Sequence, residues 1–201
     1  LDLYIGTYKQ CQKRWLKMYN IFSSFLYEEN LNFDIKKMEK EILNFKKNNE
    51  GRIFSNYGGW QSDSFIDAVG CFKKFFKQLN LIIKNIEEKL CLTHKLKLDS
   101  FWFNVNNFGS FNRPHIHTGS VLSGVYYINI PKNSGNIIFK RDGFRENDIR
   151  SVKRYNEYNS SNFKVNPYEN LCIIFPSYLE HYVEPNLNKK ERISISFNYG
   201  F

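Results

Sequence analysis

Three of the four histidines in this 201-residue chain are spaced so that they could act together. His115 and His117 stand at i and i+2 in Asn112-Arg113-Pro114-His115-Ile116-His117. On an extended strand that spacing sends both imidazoles to one face and Ile116 into the opposite layer. Two neutral imidazoles on one face make half of a transition-metal site. His181 follows the apolar run Leu171-Cys172-Ile173-Ile174-Phe175, which Pro176 and a short turn close. Alone, the HxH pair is a weak signal and His181 an ordinary turn histidine. His94 fits no pattern and reads as a helix-end or surface residue.

Eleven positions after His181, Arg192-Ile193-Ser194-Ile195-Ser196-Phe197-Asn198 alternates strictly between polar and apolar. Ile193, Ile195 and Phe197 require a core. Arg192 and Ser194, on the other face, offer a guanidinium and a hydroxyl that suit a carboxylate, because Arg binds it through two parallel N–H groups. The competing reading is an edge strand with its polar side in water.

Elements that would position these residues follow from periodicity. Phe65, Val69, Phe72, Phe76, Leu79, Ile83, Ile86 and Leu90 recur at steps of three and four, which predicts a helix. Ser62-Asp63-Ser64 would cap its start. Ile35, Met38, Ile42 and Phe45 predict a shorter helix upstream, and Gly51 and Ser55 to Gly59 a turn region between the two. Beyond His94 the period becomes two. Leu96, Leu98 and Phe101 to Val105, then Val121–Ile130, Asn136–Lys140, Leu171–Phe175 and Arg192–Asn198, read as short strands with no helix between them. That order predicts an antiparallel sandwich or barrel. Residues 1–94 form a helical buttress of the same domain and 95–201 the β core. The polar stretch 141–162 is long for a connection in a compact domain and is read as a lid over the site, with Arg141, Arg145, Arg150, Lys153 and Arg154 as contacts for an acidic substrate.

Composition excludes whole classes. Aromatics at 17% argue against disorder, and no run of apolar residues is long enough to span a bilayer. Cys11, Cys71, Cys91 and Cys172 form no close pair, and the last three fall in apolar helical or strand patterns. Reduced thiols and the absence of a signal-like N-terminus predict a cytoplasmic location. The net charge of +9 admits a nucleic-acid partner, but the lysines are scattered rather than gathered in one arm.

The ordered segments HxH, Leu122-Ser123-Gly124-Val125-Tyr126-Tyr127, Phe175-Pro176-Ser177 leading to His181, and Arg192-Ile193-Ser194-Ile195-Ser196-Phe197-Asn198-Tyr199 together resemble the iron(II)- and 2-oxoglutarate-dependent oxygenases. Gly58-Gly59-Trp60-Gln61-Ser62 adds a fifth matching segment, so the resemblance spans roughly residues 55 to 201. It implies a mainly β fold with N-terminal helices, built on a double-stranded β-helix (jelly-roll) core. It implies His115, His117 and His181 as Fe(II) ligands, and Arg192 with Ser194 as the clamp on 2-oxoglutarate. Asn104 and Tyr127 are further contacts to that cosubstrate. The implied activity is a dioxygenase that consumes O2, hydroxylates a small molecule or peptide, and releases succinate and CO2. His117 departs from the wider superfamily, where a carboxylate occupies that place; a neutral ligand leaves the site more positive. Two alternatives stand beside this reading: an idle jelly-roll that binds metal or carboxylate, and a nucleic-acid demethylase of the same superfamily. No membrane partner is implied, and an oligomer is compatible with the sequence.

Overall fold

The computed structural model describes residues 23–67, 70–141, 143, 153–156 and 158–201. Half of the expected 141–162 lid, including Arg145 and Arg150, lies outside these residues, as does Cys11. Strands β1 (Tyr27–Asn30), β3 (Trp60–Gln61), β4 (Lys97–Asn106), β6 (Leu122–Asn129), β9 (Leu171–Pro176) and β11 (Arg192–Gly200) form a six-stranded sheet ordered β1-β9-β6-β11-β4-β3. Strands β2 (Asn56–Tyr57), β5 (Phe111–His115), β7 (Ile137–Lys140), β8 (Asn162–Val165) and β10 (His181–Val183) form a second, ordered β2-β5-β10-β7-β8. Every assigned pair is antiparallel. The two sheets face each other as the jelly-roll, or double-stranded β-helix, that the sequence resemblance implied.

Helices α1 (Ile35–Lys47) and α2 (Phe72–Lys89) cover the outer face of the larger sheet. Period-two alternation decides which strand residues meet them. Phe101, Phe103, Val105, Tyr126, Ile128, Ile193, Ile195 and Phe197 pack with Met38, Ile42, Phe75 and Leu79 in one apolar cluster. Their neighbours Val125, Tyr127, Ile173 and Phe175 point the other way and form a second cluster between the sheets. Gly124 sits where the Phe197 ring and the Ile173 carbonyl close in on β6; a Cβ there would lie 2.4 Å from the ring, so no other residue fits.

Asp34 caps α1 by accepting from the Lys37 N–H at 3.0 Å, as its position before the apolar repeat allows. The second helix differs from expectation. It begins at Phe72 rather than near Phe65, and Cys71 at its start provides no side-chain cap. The reason is tertiary: the Phe65 backbone exchanges two hydrogen bonds with Phe101, of 2.8 and 2.9 Å. The Ser62 hydroxyl, expected as a cap, instead accepts from the Phe103 N–H. Phe65 keeps the apolar spacing by stacking on Phe101 and Phe103, without being helical. Cys71 and Cys91 accordingly sit at the two ends of α2 rather than inside it, while Cys172 is fully buried; none of the three is in a disulfide. His94 is exposed, as read from the sequence. Among the described residues no helix is long and apolar enough to cross a membrane.

Candidate active site

His115 ends β5 and His181 begins β10, and the two are direct partners in the antiparallel ladder. Opposed residues in such a ladder share a face, so the pairing alone brings these imidazoles together. His117 lies two residues beyond the end of β5, where its backbone N–H donates to the Ser177 carbonyl at 3.0 Å. The chain has left the strand by then. Ile116 is therefore 47% exposed, not buried in an opposite layer as strand geometry predicted. The turn still delivers the third ring: the nearest nitrogens of His115, His117 and His181 all lie within 4.8 Å of one another.

Hydrogen bonds set the tautomers. The Nδ1–H of His115 donates to the Arg113 carbonyl at 2.7 Å, and that of His181 to the Leu179 carbonyl at 2.9 Å. Each ring is left with an unprotonated Nε2, the form that ligates metal, and the carbonyl fixes its orientation. Burial disfavours the imidazolium, lowering His115, pulling His117 down to about 4 and His181 to about 3. All three rings are thus neutral at physiological pH and free of competing protons. Such a donor set fits a first-row divalent ion, iron included.

The rings stand at one end of a cleft of about 550 Å³ between the sheets. Arg192, Ser194, Asn104 and Tyr127 all line it. Ser194 on β11 pairs in register with Asn104 on one side and Tyr127 on the other, so the three share one face. The Asn104 amide donates to the Ser196 hydroxyl at 3.0 Å. Arg192 is 4% exposed, and its one hydrogen bond among the described residues runs to the Ser134 carbonyl at 3.0 Å. Desolvation lowers it to about 10, so the guanidinium keeps its charge at neutral pH. No described acidic side chain pairs with it. A buried cation with most of its N–H groups unused is costly, and a ligand carboxylate is what would offset that cost. The cleft therefore fits 2-oxoglutarate by the chemistry of its donors.

Residues 100–198 match the profile of the family described as "Putative 2OG-Fe(II) oxygenase". This segment belongs to the 2OG-Fe(II) oxygenases. The protein is accordingly an oxidoreductase that uses iron, 2-oxoglutarate and O2. Solved structures agree on the fold of this oxygenase. A Pseudomonas putida prolyl-4-hydroxylase superposes with a TM-score of 0.63 at 15% identity, covering 87% of this chain and 91% of that one. The epimerase SnoN, in complex with Fe3+ and alpha-ketoglutarate, gives 0.62 at 11% identity over 88% and 79%. A Trichoplax adhaerens prolyl hydroxylase bound to a peptide of hypoxia inducible factor gives 0.58 at 15% over 88% and 83%. No curated protein matches at the level of sequence.

Several residues of this candidate site are not legible in the sequence motifs. Ser55 places its hydroxyl 3.5 Å from the His115 Nε2 and accepts from the Asn112 amide at 3.2 Å. Trp102 packs on the His117 ring, with centroids 5.7 Å apart. Trp102, two before Asn104, shares its strand and face, so alternation could have found it. Asn112, three before His115, would fall on the opposite face by alternation, and only the register shift between β5 and β10 brings it to the same cleft. Ser55 could have been suspected only because it precedes the segment holding Gly58-Gly59-Trp60-Gln61.

Proposed function

We propose that His115, His117 and His181 hold Fe(II) through their Nε2 atoms. Arg192 anchors the distal carboxylate of 2-oxoglutarate, with Ser194 donating a further hydrogen bond. Asn104 and Tyr127 shape the wall beside it, the Tyr127 hydroxyl remaining protonated because burial pushes it well above its usual range. Iron bound there, with 2-oxoglutarate and O2, supplies the oxidising power that turns a substrate C–H into C–OH while the cosubstrate becomes succinate and CO2.

The protein's own part is positioning. The Arg113 and Leu179 carbonyls hold two ligand rings by Nδ1–H, and the interstrand pairing of His115 with His181 sets their separation. Phe175 and Phe139 pack against His181 and keep water from that side. Because all three ligands are neutral, the ferrous site carries its full dipositive charge, which favours the dianionic cosubstrate. The observation that carries this reading is the convergence of three desolvated imidazoles, two of them tautomer-fixed, beside a buried arginine that lacks an acidic partner among the described residues.

Anaerobic addition of Fe(II) and 2-oxoglutarate tests it. A weak visible charge-transfer band is expected for the native chain and is expected to disappear in His115→Ala and His181→Ala. A native protein that binds Fe(II) without developing the band on adding 2-oxoglutarate would refute the cosubstrate assignment.

A further inference from the structure

A second cleft opens on the outer side of the same histidines. It shares Ser55, Trp102, His115 and His117 with the inner cleft, but it is a wider trough, of about 1250 Å³, and more open to solvent. Apart from the shared His115 and His117, its walls have no part in the proposed binding of metal or 2-oxoglutarate.

Gln61 is the most telling wall residue. It is 6% exposed, on β3, in register with Asn104 and therefore on the site face of the sheet. Its backbone carbonyl accepts from the Arg52 N–H, yet its side-chain amide makes no hydrogen bond among the described residues. Only the Ser110 and Ser134 hydroxyls are fully desolvated without a partner among the described residues, so the unpaired Gln61 amide opens onto the trough, where an occupant can bond to it. One carbonyl acceptor and two N–H donors match a peptide group, which presents one of each.

Arg113 and an apolar shelf complete the wall. Arg113 stands two residues before His115, exposed and without an ion pair among the described residues. Ile53, Phe54 and Ile116 line the same trough while 81%, 56% and 47% exposed. Large apolar side chains gathered in this way at a cleft mark a binding surface. Arg52 lies 4.4 Å over the Phe54 ring and pairs with Asp63 at 3.1 Å, steadying the shelf. Among the described residues, the trough lining contains no Asp or Glu. Its charge therefore favours an anionic occupant.

We propose that this outer trough is the recognition site for an extended peptide segment. An apolar residue would lie on the Ile53–Phe54–Ile116 shelf, a backbone amide would pair with Gln61, and an adjacent acidic side chain would pair with Arg113. A small metabolite is normally engulfed over most of its surface, whereas an open trough suits a chain that enters and leaves. This inference rests on the three histidines being the metal centre, since that is what places the trough next to the reacting atoms.

The test uses the full chain, loaded anaerobically with Fe(II) and 2-oxoglutarate, against fluorescein-labelled decapeptides. These carry a central Phe, Leu or Ser flanked by Glu, Gln or Lys, and binding is read by anisotropy. Peptides pairing Phe or Leu with Glu are expected to bind about tenfold or more tighter than their Lys counterparts. Arg113→Glu, at an exposed position that leaves the fold intact, is expected to invert that preference. Gln61→Leu is expected to weaken all peptides alike, and N-methylation of the central amide to weaken binding to the native chain but not further to this variant. Binding indifferent to flanking charge, a preference unmoved by Arg113→Glu, or N-acetylglutamate binding as tightly as the best peptide would overturn the proposal. Its failure is separable from failure of the metal assignment: charge-selective peptide binding without the visible band removes only the latter, and the band without peptide selection removes only the former.

Discussion

Along β11, Ile193, Ile195, Phe197 and Tyr199 face the helices, while Arg192, Ser194, Ser196 and Asn198 face the histidines. Along β4, Phe101, Phe103 and Val105 face one way, and Trp102 and Asn104 the other. The helix-side face is continuous hydrocarbon, and its burial is what holds the domain together. The opposite face is buried too, but with groups whose desolvation is only partly offset by bonds among themselves, as between Ser123 and both Ser177 and Asn198. The apolar core lies on one side of each strand and the candidate site on the other. Function here is installed at some cost in stability, on a scaffold that the reverse face makes firm enough to carry it.

Substitutions on the two faces should therefore separate binding from folding. The largest effect belongs to the metal centre: His181→Ala is expected to abolish measurable Fe(II) binding by calorimetry while thermal unfolding of the chelator-treated protein stays near native. Next comes Phe101→Ala on the opposite face, 2% exposed and packed on Phe76, expected to cost about 3–5 kcal/mol in urea unfolding. The fraction still folded should bind Fe(II) as the native chain does. Loss of metal affinity there would show that the faces are not independent.

Arg192→Met tests the comparison from the reactive side. It should weaken 2-oxoglutarate binding by about 2–4 kcal/mol, read by titration of the visible band, because a desolvated charge-assisted contact is lost. Metal affinity should stay the same, and stability should hold or rise, since a buried cation without an acidic partner is removed. The smallest effect is on pH. His117 and His181 are held down to about 4 and about 3, below the ordinary 6.5, so the unfolded chain takes up protons that the folded chain refuses. The metal-free protein should thus lose stability as pH falls from about 6.5 towards 4 and regain it above, measured as the urea midpoint. A midpoint flat across that window would mean that the rings are more hydrated than their burial indicates.

How much of this could be read beforehand differs by element. The strict alternation of residues 192–198 announces its two faces, because a strand has only two and one must be dry. The repeat Ile35, Met38, Ile42 places α1 equally well. The repeat beginning at Phe65 misleads, because stacking on β4 satisfies the same apolar spacing that a helical stripe would. The strand geometry read from HxH holds as far as His115 and fails at Ile116, since the chain leaves β5 between the two histidines. Gln61 and Ser55 lie far from the histidines in sequence, and no local period points from one to the other.

The chain by itself determined the residue types of the site, their order, and the alternation that puts Arg192 and Ser194 on one face, because these follow from strand geometry and side-chain chemistry. Only the folded arrangement decided that His115 and His181 are ladder partners, that their Nδ1 protons are taken by backbone carbonyls, and that Gln61 turns an unsatisfied amide into a second cleft. Those outcomes depend on which strands pair and at what register. Long-range pairing is set by the burial of the whole core, which no local stretch of sequence encodes.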